Sequence, residues 1–382
     1  MKSYDILIIG AGSVGTPLSY YLAEKGMKVG VIEQNASTGR GQNRAAIGGL
    51  RATFSDPAKI KICAVSINEI SHMKENHGID VDWVEGGYIY PIFNEAQEKS
   101  LKNLLTLQKS FGLDIDWVSA EEVKERVPGI QSEGLRGGTF SPHDGSASPI
   151  KTTGAFYRLA RGKNVEFHFN EKVLSMEVSG GKINSVKTDR DSYSADLIIN
   201  AAGPFSREIG DMCGVKIPVS PECHEAGITE PVEYFLRPMV VDIRPDNISL
   251  NYYFYQNYEG QFVFCITPKP PISGTDIDNT SSFMPQMVER MLALYPRLRN
   301  LRIRRTWRGL YPMTPDGFPI VGRTKEISNL FLATGMCGQG YMIGSGLGKI
   351  LSEIIVNDSH DYDFILEQLT LYRDFSGDEM LK

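Results

Sequence analysis

The first thirty-three residues alternate between apolar runs and a helical pattern. Residues 6–9 form a run without a polar position, as a parallel strand covered on both faces requires. Apolar residues recur at Leu18, Tyr21 and Leu22, which predicts a helix, and a second strand follows over residues 28–33. The order strand, helix, strand predicts a βαβ unit at the start of an α/β fold.

Three glycines occupy the turn between the first strand and the helix. Their spacing is Gly10-x-Gly12-x-x-Gly15, and Glu33 ends the second strand. In a dinucleotide-binding turn the glycines permit a tight bend, close approach of a pyrophosphate and close helix packing, while the acidic residue binds a ribose. Because the chain has 38 glycines, the spacing alone also fits a purely structural turn. The flanking strands and the acid in register favour the dinucleotide.

Further along the chain, helix signals and short strands alternate. Helices are predicted after Asp56-Pro57 and after Asn94, each closed by a glycine, and after the capping box that begins at Ser119. A buried strand over residues 196–200 ends in Ala201-Ala202-Gly203. An antiparallel sheet over the cofactor is predicted from strand-like runs at 88–90, 115–118, 239–241, 252–255 and 262–266.

Composition narrows the class of protein. The chain has 382 residues, 41% of them hydrophobic and 23% charged, as in soluble globular proteins of two or three domains. A net charge of -6 argues against nucleic acid and anionic membranes as partners. Five cysteines without a C-x-x-C pair and six scattered histidines predict neither disulfides nor a metal site. The short apolar stretch near the N-terminus does not read as a signal peptide, so we expect a cytoplasmic protein without a membrane span.

Three further segments complete a recognisable set. They are the basic loop 39–51, residues 307–322 with Trp307-Arg308-Gly309 and Thr314-Pro315-Asp316-Gly317, and residues 333–341 with Gly335, Gly338 and Gly340. Together with the N-terminal turn and the Ala-Ala-Gly strand, this set resembles the FAD-dependent oxidoreductases of the D-amino acid oxidase superfamily. Within it, the chain is most similar to the group of sarcosine oxidase and the β-subunit of dye-linked proline dehydrogenase.

The resemblance implies an α/β fold with a discontinuous Rossmann-like FAD-binding domain and a second α+β domain built on an antiparallel sheet. The boundaries expected for the FAD-binding domain are 1–86, 147–217 and 306–382, and those for the substrate domain are 87–146 and 218–305. FAD is expected to be non-covalent, because Gly309 stands where monomeric sarcosine oxidase has its flavin-linked cysteine. Pro149 likewise replaces the histidine that carries a second, covalent flavin in the heterotetrameric enzymes. The residues expected to bind FAD are Gly10, Gly12, Ser13, Val14, Gly15, Glu33, Gln34, Asn43, Arg44, Val173, Ala201, Ala202, Gly203, Gly309, Gly338, Gln339, Gly340, Tyr341 and Met342.

The C-terminal glycines have two interpretations. A glycine-rich entry into the helix that begins near residue 340 leaves backbone N–H groups for a bound group, and the helix N-terminus would stabilise negative charge on a reduced flavin. Alternatively, the same glycines allow two helices to cross closely.

The resemblance also implies which residues bind substrate. Arg51 aligns with the arginine that binds the substrate carboxylate in sarcosine oxidases, although a solvent-facing or phosphate-side arginine is an alternative. Tyr252 is the preferred phenol among Tyr252, Tyr253, Tyr255 and Tyr258, although aromatic packing of the sheet is an alternative for each. Gln339 stands in place of the histidine of the Gly-His-Gly-Phe motif and is the third predicted catalytic residue.

Several positions depart from the relatives. Tyr311 replaces the carboxylate-binding arginine of glycine and D-amino acid oxidases, and Met342 replaces a lysine of monomeric sarcosine oxidase. The oxygen-activating lysine of that enzyme aligns with Phe264, which favours a dehydrogenase that passes electrons to another acceptor. His224 could line the site, but a structural histidine is the preferred interpretation. For Asp144 the preferred interpretation is the cap of a turn.

The sequence is therefore consistent with three functions. The first is an FAD-dependent dehydrogenase or oxidase acting on CH–NH or CH–NH2 donors, with a secondary amine or small amino acid such as sarcosine or proline as substrate. The second is a dehydrogenase of the glycerol-3-phosphate type. The third is a flavoprotein subunit that relays electrons within a complex and has electron-accepting protein subunits as partners.

Overall fold

The computed structural model describes residues 1–377 and 379–381 and contains two large β-sheets. The strands are β1 (Lys2–Ile9), β2 (Val29–Glu33), β3 (Gly49–Leu50), β4 (Tyr88–Ile92), β5 (Asp116–Val118), β6 (Gly137–Ser141), β7 (Gly145–Ser146), β8 (Glu166–Phe169), β9 (Val173–Ser179), β10 (Lys182–Thr188), β11 (Ser192–Asn200), β12 (Ser220–Pro231), β13 (Met239–Asp242), β14 (Ser249–Gln256), β15 (Gln261–Pro268), β16 (Ile303–Met313), β17 (Ile320–Arg323) and β18 (Leu330–Thr334).

Helices cover the first sheet and one face of the second. They are α1 (Gly15–Glu24), α2 (Pro57–Ser71), α3 (Met73–His77), α4 (Glu95–Ser110), α5 (Ala120–Arg126), α6 (Pro149–Gly162), α7 (Ser206–Asp211), α8 (Phe283–Leu294), α9 (Gly340–Asn357) and α10 (Asp363–Leu369). Single 3-10 turns occur at Gln42–Ala45, Gly203–Phe205 and Pro296–Asn300.

The first sheet is built around the N-terminal βαβ unit. Its order is β17-β18-β11-β1-β2-β8, with β10 beside β11 and β9 beside β10. β1 pairs in parallel with β2 and with β11, so the turn after β1 lies beside the end of β11. One face packs against α1, α2, α6 and α9 through residues such as Ile8 and Leu347, and the other face carries Leu7 and Ile198 in a separate core. Burial on both faces explains the uninterrupted apolar run of β1.

The second sheet is almost wholly antiparallel. Its order is β16-β12-β15-β14-β13-β4-β6-β5, and among the described residues only the β13–β4 pair is parallel. One face packs Phe254 and Phe264 against Phe283 and Met287 of α8. The opposite face carries Tyr88, Met239 and Val241 together with Tyr253 and Cys265, and it borders a cavity. We call this side of the sheet the cavity face.

The predicted helix signals have structural counterparts. Asp56 and Asn94 cap α2 and α4 through hydrogen bonds to the N–H groups of Lys59 and Gln97, and both halves of the capping box at Ser119 are present. The helix expected to run on to Gly78 divides into α2 and α3, with Gly78 in the left-handed region at the end of α3.

The α/β fold class is confirmed, and one predicted boundary divides a strand. All strands of the first sheet come from residues assigned to the FAD-binding domain. β16 spans Ile303–Met313 and pairs with β12 along its length, so position 306 falls inside the second sheet. The two-domain division stays a prediction, with this boundary moved to 314.

Candidate cofactor and substrate site

A cavity of about 470 Å³ lies between the two sheets, where the loops after β1, β2, β11 and β18 meet the cavity face. Glu33, Lys172 and Val173 line one end, which we call the nucleotide end. Arg51, Tyr253 and the neighbouring strands of the second sheet line the other, which we call the sheet end. The volume and the mixture of apolar walls with a few polar groups are typical of a small-molecule site.

The glycines of the N-terminal turn have different surroundings. A Cβ on Gly10, where φ is +108°, would lie 2.5 Å from the Ala201 carbonyl oxygen, and one on Gly15 would lie 2.0 Å from the Gly10 carbonyl oxygen. A Cβ on Gly12 would meet nothing within 4 Å, and Gly12 lines the cavity together with Ser13 and Val14. Gly10 and Gly15 therefore serve the backbone itself, whereas Gly12 leaves room for a group in the cavity.

Glu33 lies at the nucleotide end and is almost fully buried. Its carboxylate accepts hydrogen bonds from the Ala11 N–H at 2.9 Å and from the backbone and side-chain N–H groups of Asn35 at 2.8 and 2.6 Å. These bonds use three of the about four acceptor positions of a carboxylate, which leaves about one for a ribose hydroxyl. The charge is thus held in place before any ligand arrives.

The basic loop divides between cavity and solvent. Gln34 and Asn43 line the cavity, and the Asn43 amide is held by Pro149 and Thr153 of α6. Arg44 is exposed and is not among the residues that line the cavity. Its assignment to cofactor binding is therefore corrected, because the 3-10 turn of residues 42–45 directs this side chain outward.

The C-terminal glycines combine both interpretations offered by the sequence. Gly338 and Gly340 line the cavity with Gln339, Tyr341 and Met342, at the N-terminus of α9. The side-chain oxygen of Gln339 is buried without a hydrogen-bond partner, which fits a donor on a bound cofactor. In the next turns a Cβ on Gly344 would lie 2.0 Å from the Ser13 carbonyl oxygen, and one on Gly346 would lie 2.1 Å from that of Ile62. These later glycines serve close helix packing.

The remaining predicted cofactor residues also have defined places. Val173, Ala201, Ala202, Gly203 and Gly309 line the cavity, whereas Gly15 lies behind the turn and is not part of the lining. The open space at Gly12, the unpartnered oxygen of Gln339 and the two helix N-termini fit a dinucleotide with a negatively charged pyrophosphate. The residues present therefore fit FAD.

Arg51 lies at the sheet end and is 5% exposed. Its guanidinium donates to the carbonyl oxygens of Thr53 and Leu381 and stacks 3.8 Å from the centre of the Phe54 ring. Across residues 1–377 and 379–381 it makes no ion pair. A buried cation held by neutral carbonyls beside a cavity is suited to an anionic ligand.

The alternation of side chains along β14 corrects the prediction that Tyr252 is the phenol in contact with substrate. Its ring is fully buried in the core behind the sheet, stacked on Phe254, and it does not line the cavity. Tyr253 lines the cavity instead, and its hydroxyl lies 2.9 Å from that of Tyr311. Cys265 lies beside both hydroxyls. Burial raises the pKa of Tyr253 and of Tyr311 well above the usual value, so both are neutral phenols.

Phe264 is likewise on the far face of its strand. It is fully buried against α8, and the neighbouring Cys265 lines the cavity. The position that the sequence aligns with an oxygen-activating lysine therefore does not border the cavity. Within the described part of the chain, the lysine that lines the cavity is Lys172, which lies at the nucleotide end.

His224 is a cavity residue that the sequence interpretation ranked as structural. It lies on β12, is 5% exposed, and neither ring nitrogen has a hydrogen-bond partner. Its ring stacks on Tyr311 at 3.6 Å between centres. No local motif distinguishes such a histidine from a structural one, because the difference lies in partners contributed by distant strands.

Asp144 is buried beside the site rather than capping an exposed turn. It is 3% exposed and accepts a hydrogen bond from the Ala52 N–H at 3.0 Å. Burial raises its pKa to about 7, although the Ala52 hydrogen bond and the charge of Arg51 oppose the shift.

The raised pKa of Asp144 predicts a pH-dependent stability difference. Between the usual carboxyl value and about 7, the folded state binds this proton more tightly than the unfolded state, so the contribution of Asp144 to the free energy of unfolding falls as pH rises. Asp144→Asn should therefore gain stability relative to wild type across that window, by at most roughly 1.4 kcal/mol per pH unit. Urea unfolding at about pH 5 and about pH 7 measures this.

The matched control is Asp116→Asn, because Asp116 is an exposed carboxyl whose pKa is lowered by its hydrogen bond to Lys109. Its difference from wild type should be the same at both pH values, because the stability that comes with a lowered pKa is lost only below the usual carboxyl value. An Asp144→Asn difference that is the same at both pH values would contradict the assignment.

Comparison with known proteins agrees with this geometry. Residues 5–354 match the family model described as DAO, FAD dependent oxidoreductase. The chain belongs to this family. FAD is therefore its cofactor, and the predicted resemblance to the D-amino acid oxidase superfamily is confirmed.

Individual relatives are similar over most of the chain. Human mitochondrial sarcosine dehydrogenase is 25% identical over 94% of this chain and 41% of its own length, and glycine oxidase from Bacillus licheniformis is 25% identical over 94% of each chain. The structure of L-proline dehydrogenase from P. horikoshii superposes with a TM-score of 0.91 at 27% identity, covering 97% of this chain and 98% of the other. The chain thus spans about two fifths of the length of the sarcosine dehydrogenases it matches.

Two other features of the described residues bear on the site. Across 1–377 and 379–381, no helix has the length and apolar character needed to cross a membrane. The same residues contain no group of three or more His, Cys, Asp or Glu side chains that could hold a metal ion.

Proposed function

We propose that this chain is an FAD-dependent dehydrogenase of a small amino acid, preferably a secondary amino acid such as proline or sarcosine. The observation that carries the proposal is Arg51, a buried cation without an ion pair in the described chain, at the sheet end of the FAD cavity. When bound, FAD accepts a hydride from a C–H bond beside nitrogen. The relatives named for sarcosine, glycine and proline support this substrate class.

In this proposal Arg51 binds the substrate carboxylate. A guanidinium can form two parallel hydrogen bonds to a carboxylate, and Arg51 now uses its donors on the carbonyls of Thr53 and Leu381. Exchange of one neutral carbonyl for a carboxylate strengthens the interaction, since hydrogen bonds to charged groups are roughly twice as strong. The carboxylate then orients the carbon chain along the cavity face.

The cavity face positions the rest of the substrate. Met239 and Val241 provide apolar contact for the carbon atoms, and the hydrogen-bonded phenols of Tyr253 and Tyr311 provide neutral donors. Tyr311 stands where glycine and D-amino acid oxidases place their carboxylate-binding arginine. Among the described residues that line the sheet end, Arg51 is therefore the one cation available for one carboxylate. This supports a small monocarboxylate over a dicarboxylate or a phosphate ester, which carries more charge.

We also infer that FAD is non-covalent and that electrons leave to an acceptor other than oxygen. Gly309 offers no nucleophile, and a Cβ there would lie 2.6 Å from Ala45. The cavity face near Tyr253 and Cys265 presents no lysine among the described residues, and a cation there would stabilise superoxide as it forms. An electron-accepting protein subunit remains part of this proposal.

A turnover assay tests the function. FAD-loaded protein is supplied with L-proline, D-proline, sarcosine, glycine or glycerol 3-phosphate, first with a redox dye and then with oxygen alone. We expect dye reduction with one amino acid and a much slower rate with oxygen. Turnover of glycerol 3-phosphate alone would overturn the amino-acid proposal, and equal rates with oxygen would overturn the dehydrogenase assignment. Failure of every substrate would instead support the electron-relaying subunit.

A further inference from the structure

His224 is a buried polar side chain that the cavity leaves without partners. It is 5% exposed, and both ring nitrogens lack a hydrogen bond. A neutral imidazole has one donor and one acceptor nitrogen, and leaving such groups unpaired in the interior costs about 1–3 kcal/mol each. Because His224 lines the cavity, a ligand there can supply the missing partner.

The neighbours of His224 hold its ring in one orientation. The ring lies almost parallel to that of Tyr311, with 12° between the planes and 3.6 Å between the centres. β12 pairs with β16 on one side and with β15 on the other, which places His224 opposite Gly309 and next to the strand of Cys265. A side chain fixed in this way presents its free nitrogen at a defined position.

The charge state of His224 follows from the groups around it. Burial lowers its pKa below the usual value, and Arg308 on β16 adds to this, while Glu222 opposes it. The Glu222 carboxylate lies 3.9 Å from Nε2, too far for a hydrogen bond. The facing phenols, Tyr253 and Tyr311, are neutral. His224 is therefore an uncharged imidazole at neutral pH, with one nitrogen free to accept a proton.

The other ionisable side chains of the cavity are less suited to accept a proton at the sheet end. Glu33 and Glu171 lie at the nucleotide end and are engaged by hydrogen bonds. Both oxygens of Glu225 accept hydrogen bonds from Thr280, and Glu208 is exposed on α7. Within the described residues, His224 is the cavity-lining base with a free acceptor.

We propose that His224 accepts a proton from the ammonium group of the bound amino acid. This inference rests on the proposed function. The substrate N–H bond breaks, a bond between that proton and an imidazole nitrogen forms, and the positive charge moves from substrate to His224. The amine that remains has a lone pair, which is required before hydride can leave the adjacent carbon. Arg51 and His224 thus bind the two ends of the amino acid that carry charge.

The test measures, as a function of pH, the anaerobic rate constant of flavin reduction divided by the dissociation constant of the amino acid. In wild type the logarithm of this ratio should level off at neutral pH and fall tenfold per unit only below about pH 6.5. In His224→Gln it should be lower at neutral pH by about 10²- to 10⁴-fold and should rise tenfold per pH unit, because the free amine must then form in solution. A tenfold rise per unit through neutral pH in wild type would overturn the proposal without any variant.

Equilibrium binding separates this role from a structural one. Tetrahydrofuran-2-carboxylate resembles proline but has no N–H group, and its binding perturbs flavin absorbance without reaction. It should bind wild type and His224→Gln equally. His224 would act only through packing if the ratio of reduction rate to dissociation constant fell in the variant by the same factor at every pH. The same conclusion would follow if the variant bound this unreactive ligand more weakly by that factor. His168→Gln is the control, since His168 also has a pKa lowered by burial but contacts Tyr4 outside the cavity.

The outcomes distinguish the two proposals. If no amino acid reduces the flavin of the wild-type protein, the proposed function fails. If an amino acid reduces it with a wild-type profile that rises through neutral pH, the role of His224 alone fails.

Discussion

Replacement of Arg51 by methionine should lower kcat/KM for the amino-acid substrate by roughly 30- to 5,000-fold, because loss of one partner of a buried charge pair costs about 2–5 kcal/mol. Methionine keeps much of the apolar contact with Phe54 but leaves the substrate carboxylate unpaired. Steady-state kinetics with a dye acceptor measures the effect. The carboxamide of the same substrate, which lacks the negative charge, should lose far less.

The control for this variant is Arg44→Met. Arg44 lies seven positions away in the same basic loop, but it is exposed and outside the cavity lining, so kinetics should be unchanged. Because Arg51 also holds the carbonyls of Thr53 and Leu381, the free energy of unfolding is measured in parallel. Equal losses for acid and carboxamide would contradict carboxylate binding and indicate a structural effect.

Gly12→Ala should weaken FAD binding roughly 10- to 100-fold while leaving the fold intact. The added methyl group meets no protein atom within 4 Å, yet it occupies the space at the N-terminus of α1 where the pyrophosphate is expected. Steric overpacking of this size costs about 1–3 kcal/mol. Fluorescence titration of the apoprotein with FAD measures the affinity, and urea unfolding of the apoprotein measures the stability.

Two other glycines provide matched controls. Gly154→Ala also places its methyl group in open space, but on α6 outside the cavity lining, so FAD affinity should be unchanged. Gly15→Ala places its methyl group 2.0 Å from the Gly10 carbonyl oxygen and should destabilise the apoprotein itself. Wild-type FAD affinity in Gly12→Ala would contradict the placement of the pyrophosphate.

The N-terminal half of the first sheet could be predicted because its signals are local. β1, α1 and β2 follow from the apolar run, the glycine spacing and the acidic end of β2, and Asp56, Asn94 and Ser119 indicate helix starts through their own side chains. β12 and β16 were not predicted, because charged residues such as Glu225 and Arg308 interrupt their apolar pattern while being buried by distant partners.

The face of β14 that borders the cavity could not be predicted for a different reason. Its neighbouring tyrosines all suit a buried surface, since one face packs against α8 and the other against the cavity. Without a polar face the period-two alternation has no phase, and the choice between Tyr252 and Tyr253 needs the tertiary structure. The same ambiguity applies to β15, where Phe264 packs against α8 and its neighbour Cys265 lines the cavity. The prediction that Arg44 binds the cofactor was wrong, because a basic residue beside a phosphate-binding loop need not point toward that loop.

Carboxylate recognition by Arg51 is tested most directly by anaerobic mixing of the FAD-loaded wild-type protein with L-proline and, separately, with pyrrolidine. The two molecules share the ring and the secondary amine and differ in the carboxylate that Arg51 is proposed to bind. We expect loss of flavin absorbance with proline, or with sarcosine in a parallel comparison with dimethylamine, and little or none with the amine that lacks the carboxylate. Equal bleaching by acid and amine, or bleaching by neither acid, would contradict this expectation.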